Sequence, residues 1–173
     1  YIADIDEVLI NQGKEYYGFQ PVLIPQRGRL PFDDDFFDVV YCSSVIEHVT
    51  VDKKDVWMIR SGKKFREVAR TRQKEFAAEI MRLGKGYFVQ TPYRFFPIES
   101  HSWLPFLGYL PRRLLMLKLR LINRFWVKRT NPDWYLLTSD DMKELFPDAR
   151  ILRERSMGLV KSLMAVRFLR GGS

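Results

Sequence analysis

The sequence predicts an α/β fold built on a doubly wound, mostly parallel sheet. Short apolar runs bounded by turn-forming residues recur along the chain, and such runs are typical of buried parallel strands. These runs alternate with segments in which apolar residues recur at helical spacing, which is the order of elements in a doubly wound sheet. Two apolar segments on either side of Gly158 predict that an antiparallel pair of strands closes the sheet.

The first half of the chain contains three predicted strands and two predicted helices. The run Tyr1–Ile5 is a short strand that ends beside an acid, and a short helix over 7–14 follows it. A second strand over 20–24 is closed by a proline and turn residues, and a third covers 38–42. From 62 to 83, apolar residues return every three or four positions, which predicts a long amphipathic helix.

The second half begins where two glycines follow the long helix. Gly84 and Gly86 predict that the helix ends in a left-handed cap. Ser139 is expected to be the N-cap of a short helix, because its hydroxyl can accept a hydrogen bond from a free backbone N–H group. The remaining predicted elements are a strand over 86–91, the short helix through 146, and the closing strands over 151–154 and 163–169.

Length and composition predict one domain over residues 1–173. The chain has 173 residues and is 46% hydrophobic, which suits a single core. Its one cysteine, Cys42, cannot form an internal disulfide and lies in a predicted strand. A packing role and a reduced, cytoplasmic setting are therefore expected. Apolar runs of about 20 residues, the length that spans a bilayer, are absent from the sequence.

Charge is distributed unevenly along the chain. The net charge is −6 over residues 1–50, +6 over 51–99, +7 over 100–132 and +1 over 133–173, within a total of +8. The segment 100–132 contains no acid. The basic character is therefore expected to form a local surface.

The run LPFDDDFFDVVYCSSVIEHV, residues 30–49, is the most specific motif of the sequence. An acidic turn leads into a buried strand, and the small polar pair Ser43-Ser44 follows the carboxyl end of that strand, where α/β folds place ligands. In composition, order and spacing, this run resembles the fourth strand and following loop of class I S-adenosylmethionine-dependent methyltransferases. The similarity is to the branch that includes the menaquinone and ubiquinone methyltransferases. Residues 79–92 and 137–167 also resemble this family's fifth strand, last helix and final hairpin.

The resemblance implies a Rossmann-like methyltransferase domain that lacks the family's first strand in this chain. The family binds its cofactor first through a Gly-rich turn after that strand, and this sequence has no such turn before its first predicted helix. The family's ribose-binding acid usually lies about 20 residues beyond those glycines. Because Asp4 falls at the position of that acid, the family's first strand, its turn and a helix are expected upstream of Tyr1.

The same resemblance suggests which residues bind S-adenosylmethionine. Asp4, with Ile5 beside it, would accept hydrogen bonds from the ribose hydroxyls. Asp6 is the alternative acid if the register differs. The other interpretation of an acid at this position is a helix N-cap. The pair Gln26–Arg27 follows the second predicted strand, where the family usually has an acid near the adenine. An amide could bind the adenine edge there, or the pair could form a solvated turn. The backbone of Ser43–Ser44 would line the amino-acid portion of the cofactor.

Residues after two of the predicted strands are candidates for the acceptor side. His48 and His101 could remove a proton from an acceptor hydroxyl. The favoured alternative for His48 is a structural histidine at the start of a helix, satisfied by its neighbours. Tyr93 and Glu99 belong to a TP-x-R-x-FP-x-E-x-H pattern that resembles one subset of the family, and they could bind the acceptor. Aromatic packing in a lid is the alternative, because methyl transfer depends mainly on in-line placement of the acceptor.

The segment 111–130 (PRRLLMLKLRLINRFWVKRT) lies inside a predicted helical cap, residues 93–134. Its leucines form an apolar stripe at helical spacing, and its polar face is made of arginines and lysines, beginning with Arg112. This pattern predicts a basic amphipathic helix that makes peripheral contact with an anionic membrane. The alternative is a cap helix that packs on the domain and leaves its basic face in solvent.

The predicted function is S-adenosylmethionine-dependent methyl transfer to a small-molecule or lipid-like acceptor. The rival is a non-catalytic methyltransferase-like scaffold that has lost cofactor binding, which the missing Gly-rich turn favours. A nucleic-acid methyltransferase is supported only by the positive charge of residues 51–132, whose aromatic residues fall largely on apolar faces. Nucleic acid is therefore not the expected partner, and no metal site is predicted.

Overall fold

A computed structural model describes residues 1–25, 28–98, 104–125, 127 and 130–168. The chain divides into two compact units, residues 1–33 and 34–173. The prediction of one domain over the whole chain, with a cap over 93–134, stays a prediction.

The unit over residues 1–33 is a β-α-β arrangement. Strand β1 (Ile2–Asp4) pairs in parallel with β2 (Pro21–Leu23), and helix α1 (Glu7–Tyr17) connects them. The Asp6 side chain caps α1 at its start, and Gly18 ends the helix with φ of 70°, a left-handed conformation that glycine adopts without a Cβ clash. The helix is therefore three residues longer at its C-terminal end than the sequence pattern predicts.

The unit over residues 34–173 contains a four-stranded mixed sheet in the order β3-β4-β6-β5. The first pair, β3 and β4, is parallel, and β6 runs antiparallel to both β4 and β5. The strands are β3 (Phe37–Ser43), β4 (Gly84–Pro92), β5 (Arg150–Ser156) and β6 (Leu159–Arg167). These pairings confirm the predicted α/β class and the antiparallel closing pair, which turns at Met157 and Gly158.

Helix α2 (Gly62–Leu83) has the bounds that its apolar spacing predicts. The Ser61 hydroxyl accepts a hydrogen bond from the Lys64 N–H at the start of the helix. The residues that α2 buries recur every three or four positions: Phe65, Ala69, Gln73, Ala77, Ile80 and Leu83. Together with helix α4 (Ser139–Leu145), α2 covers one face of the sheet, and the shared core includes Val89, Met142 and Leu163.

Two helix ends differ from the sequence prediction. Gly84 does not form a left-handed cap, since its φ of −109° and ψ of 131° are extended and β4 begins at this residue. Glycine is required there by space, because a Cβ would lie 2.5 Å from the Gly86 carbonyl oxygen and 2.9 Å from Val40 Cγ2. At α4 the N-cap is Thr138 and not Ser139, because Thr138 and Asp141 form a reciprocal capping box.

Helix α3 (Arg112–Ile122) begins with a buried arginine, and this corrects the prediction that Arg112 lies on the polar face. The Arg112 side chain donates from Nε to the Ile59 carbonyl (2.7 Å), from Nη1 to the Pro132 carbonyl (2.9 Å) and from Nη2 to the Val56 carbonyl (2.8 Å). Its guanidinium carbon lies 3.4 Å from the centre of the Phe65 ring. Burial lowers the pKa of Arg112 to about 10. One cation at the start of α3 thus contacts the segment 56–59, Pro132 and the Phe65 ring of α2.

Among the described residues, none of the helices is both long enough and apolar enough to cross a membrane.

Candidate active site

The acid at the end of β1 lies where the sequence predicts it. Asp4 is the last residue of β1, and its Oδ1 accepts a hydrogen bond from the Asp6 N–H at 2.9 Å. The Asp6 carboxylate in turn accepts from the Val8 N–H at 3.0 Å, so Asp6 is the N-cap of α1. The alternative acid therefore has a structural role. A cofactor role for Asp4 and for the exposed Ile5 beside it stays a prediction.

Four of the predicted site residues lie outside the described part of the chain: Gln26, Arg27, Glu99 and His101.

In the unit over residues 34–173, the serine pair lies at the carboxyl end of β3. Ser43 is the last residue of the strand, and its hydroxyl donates to Gln90 Oε1 at 3.4 Å. The Ser44 N–H donates to the Gln90 carbonyl at 2.9 Å. Ser44 has φ of 55°, a left-handed conformation that is uncommon without glycine and that is often found at ligand-binding turns. The chain thus turns sharply off the strand at the predicted cofactor position.

A chain of polar side chains continues from Ser43 across the sheet. Gln90 Nε2 donates to Ser162 Oγ at 3.1 Å, and Ser162 Oγ donates to Glu154 Oε2. Lys161 completes the chain with Nζ 3.2 Å from Glu154 Oε1. Hydrogen bonds from Ser162 and Lys161 hold the pKa of Glu154 below its usual range. Each of the four strands contributes one residue to this polar chain, which we call the cross-sheet chain (Ser43, Gln90, Ser162, Glu154).

The segment after the serines is a single 3₁₀ turn, Ile46–His48, and not the start of the predicted regular helix. Gln73 Nε2 from α2 donates to the Ile46 carbonyl at 3.0 Å and to the Tyr135 carbonyl at 3.2 Å. The Tyr135 N–H donates back to the Glu47 carbonyl at 2.8 Å. The turn is therefore fixed to both α2 and the segment that leads to α4.

Glu47, the middle residue of this turn, is fully buried. Its Oε2 accepts a hydrogen bond from Thr91 Oγ1 at 2.9 Å, at the end of β4. Nearby, burial and then the charge of Glu47 raise the pKa of the Cys42 thiol to about 12. Cys42 is therefore a protonated packing residue at neutral pH, as the sequence predicted.

His48 lies at the surface edge of the same turn and faces a carboxylate. Its Nδ1 is 3.5 Å from Asp133 Oδ2, and the two side chains are about one-third and one-quarter exposed. Thr50 Oγ1 donates to the Asp133 carbonyl at 2.5 Å and so fixes the backbone of that acid. A carboxylate beside Nδ1 orients an imidazole, and a histidine next to a carboxylate is a common arrangement for a general base. The sequence offered no signal for this pair, because Asp133 lies in a loop far along the chain.

Tyr93 is the residue that follows β4. Its N–H donates to the Lys161 carbonyl at 2.9 Å, and its ring centre is 5.6 Å from that of Phe95 in an edge-to-face arrangement. The Arg94 guanidinium carbon lies 5.9 Å from the Phe95 ring and 5.8 Å from the Tyr135 ring. This packing agrees with the lid alternative, and the acceptor role of Tyr93 stays a prediction.

Comparison with known proteins finds one family match and similar solved structures. Residues 1–86 match the family described as the methyltransferase domain. No curated protein matches the chain. Among solved structures, the chain is similar to the PH0226 protein from Pyrococcus horikoshii OT3, at 12% identity and a TM-score of 0.47, over 95% of this chain and 68% of that one. The family match over residues 1–86 confirms the resemblance that the motif over 30–49 indicates.

Proposed function

We propose that the chain catalyses S-adenosylmethionine-dependent transfer of a methyl group to a small-molecule or lipid-like acceptor. The observation that carries the proposal is the family match over residues 1–86, because it includes the ends of both β1 and β3. These strand ends hold Asp4 and Ser43–Ser44, which are the residues that the family resemblance assigns to the cofactor.

The residues at these strand ends fit the polar parts of the cofactor. The Asp4 carboxylate is only partly buried and has one oxygen oriented by the Asp6 N–H, so it can accept from a pair of ribose hydroxyls. The left-handed turn at Ser44 directs the backbone away from the strand, as a segment lining an amino-acid group requires. When bound, S-adenosylmethionine supplies a methyl group on a positively charged sulfur. The sulfur keeps the electron pair of the carbon–sulfur bond when the methyl group is transferred.

The acceptor loses a proton when its oxygen or nitrogen is methylated. The His48 imidazole can take that proton, because Asp133 Oδ2 lies 3.5 Å from its Nδ1 and would stabilise the imidazolium. An acceptor that is already a good nucleophile needs only to be held in line with the methyl group. We therefore assign His48 and Asp133 to acceptors whose proton is difficult to remove.

Calorimetric titration with S-adenosylhomocysteine tests the proposal, with Asp4→Asn as the test variant and Asp6→Asn as its matched control. Each variant removes one negative charge, and asparagine retains the N-cap function at position 6. A charge-assisted hydrogen bond contributes about 1.5–3 kcal/mol. Asp4→Asn should thus weaken binding by roughly tenfold or more, whereas Asp6→Asn should change it by less than about threefold.

Micromolar binding that depends on Asp4 would support cofactor binding by this chain. A folded sample that binds no S-adenosylhomocysteine would contradict the proposal for this chain and would favour the rival, a methyltransferase-like scaffold without catalysis.

A further inference from the structure

Helix α3 presents two different apolar faces, and only one of them is packed in the protein. Leu115, Met116 and Leu119 are buried in the cap. In contrast, the side chains of Leu114, Leu117 and Leu121 are 54%, 57% and 56% exposed. At about 100° per residue, the three exposed leucines fall within about 60° of one another on the helix surface. We call them the outer stripe (Leu114, Leu117, Leu121).

Two further apolar residues are exposed after the end of the helix. Phe125 is 90% exposed and Val127 is 99% exposed. Single exposed apolar residues are ordinary on a protein surface, but a contiguous group of this kind indicates a contact with another apolar phase or partner.

Basic residues border the outer stripe on both sides. On the helical projection Lys118 lies about 40° beyond Leu114, and Arg113 lies about 40° beyond Leu117 on the opposite border. Both basic residues are exposed, as is Arg124 in the turn after the helix. The sequence has no acid between Glu99 and Asp133, so the charge of this surface is not neutralised by a local carboxylate.

We propose that α3 docks on an anionic lipid surface, with the outer stripe in the interfacial region and the bordering bases on the headgroups. Apolar side chains with basic residues along their edges match such a surface in both chemistry and charge. A second copy of the chain would bring two positive surfaces together, and a nucleic acid would leave the leucines in water. The inference concerns attachment only and does not depend on methyl transfer.

Co-sedimentation of the full chain with vesicles tests the proposal. Phosphatidylcholine vesicles are compared with vesicles that contain about 30% phosphatidylglycerol, which carries the anionic charge. The first variant combines Leu114→Ser, Leu117→Ser and Leu121→Ser, and its control combines Met157→Ser and Leu159→Ser, two exposed apolar residues of the closing hairpin. The second variant combines Arg113→Gln, Lys118→Gln and Arg124→Gln, and its control combines Lys53→Gln, Lys54→Gln and Lys63→Gln, three exposed lysines elsewhere.

The wild-type chain should bind only the anionic vesicles. Each neutralised base should weaken binding about fivefold, and the leucine variant should lose more than about tenfold, with both controls close to wild type. Equal binding by the leucine variant and its control, or equal binding to both kinds of vesicle, would overturn the proposal. So would a dimer, detected by sedimentation, that disappears in the leucine variant while vesicle binding is absent.

Discussion

The buried guanidinium of Arg112 gives the sharpest test of the cap's architecture. The substitution Arg112→Met keeps an unbranched side chain of similar reach and removes all of its hydrogen-bond donors. The carbonyls of Val56, Ile59 and Pro132 would then lose their partner, and Phe65 would lose the cation over its ring. We expect a clear loss of stability in the unit over residues 34–173.

The size of this loss follows from two opposing terms. A buried acceptor left without a donor costs about 1–3 kcal/mol, so three carbonyls cost about 6 kcal/mol. The variant also avoids burying a cation. Burial lowers the pKa of Arg112 from its usual range to about 10, and at about 1.4 kcal/mol per pKa unit this returns about 3 kcal/mol. The free energy of unfolding should thus decrease by about 3 kcal/mol.

Urea denaturation followed by circular dichroism measures this change. A loss of about 3 kcal/mol corresponds to a decrease in Tm of roughly 6–12 °C for a chain of this size. Arg113→Met is the matched control, because the neighbouring arginine is exposed and its removal should change stability by less than about 0.5 kcal/mol. A loss below about 1 kcal/mol for Arg112→Met, or equal losses for the two variants, would refute the reasoning.

Three further predictions concern the sheet and the site. Gly84→Ala should lower the free energy of unfolding by about 2 kcal/mol or more, because its Cβ would clash with a backbone carbonyl oxygen. Gly62→Ala is the control and should be neutral or stabilising by up to about 1 kcal/mol, since its Cβ would meet only a side chain at 3.7 Å. Urea titration of the two variants measures the difference. The pKa of Cys42 is about 12 in the folded protein and about 8.5 in the unfolded chain. The stability that the protonated thiol contributes is therefore complete below about pH 8.5 and is lost as the pH rises toward 12. The free energy of unfolding should fall across that pH range, and it should fall less in Cys42→Ala. For an acceptor that must lose a proton, His48→Gln should lower kcat by about 10²–10⁴-fold, and Asp133→Asn should lower kcat with little change in KM; a kcat unchanged in His48→Gln would exclude it as the base.

Local patterns predicted most of the fold. The bounds of α2 follow from its apolar spacing, and the strands lie where short apolar runs stand between turn residues. The errors occurred where tertiary contacts decide the outcome. Gly84 is a glycine because a neighbouring carbonyl approaches it, and Arg112 is buried because three carbonyls receive its donors. Neither contact leaves a periodic signal in the sequence.

The site was predictable to the extent that it depends on strand ends. Asp4 and the serine pair stand at the carboxyl ends of β1 and β3, as short strands followed by polar residues suggest. The partner of His48 could not be predicted, because Asp133 lies far along the chain and only the tertiary fold brings it near. The role of Gln73 could not be predicted either, because the sequence shows only that it belongs to a helix, and its amide holds the turn that carries His48.

The cross-sheet chain also determines how the sheet can change. Successive residues of a strand point to opposite faces, so a slip of one residue in β4 would send Gln90 into the apolar layer beneath α2 and bring an apolar neighbour against Ser43 and Ser162. The hydrogen bonds among these polar side chains therefore fix the pairing register of all four strands. An insertion or deletion of one residue within β4 would be poorly tolerated. The turn at Met157 and Gly158 contains no residue of the cross-sheet chain, so it can vary in length while the serines at the end of β3 keep their position.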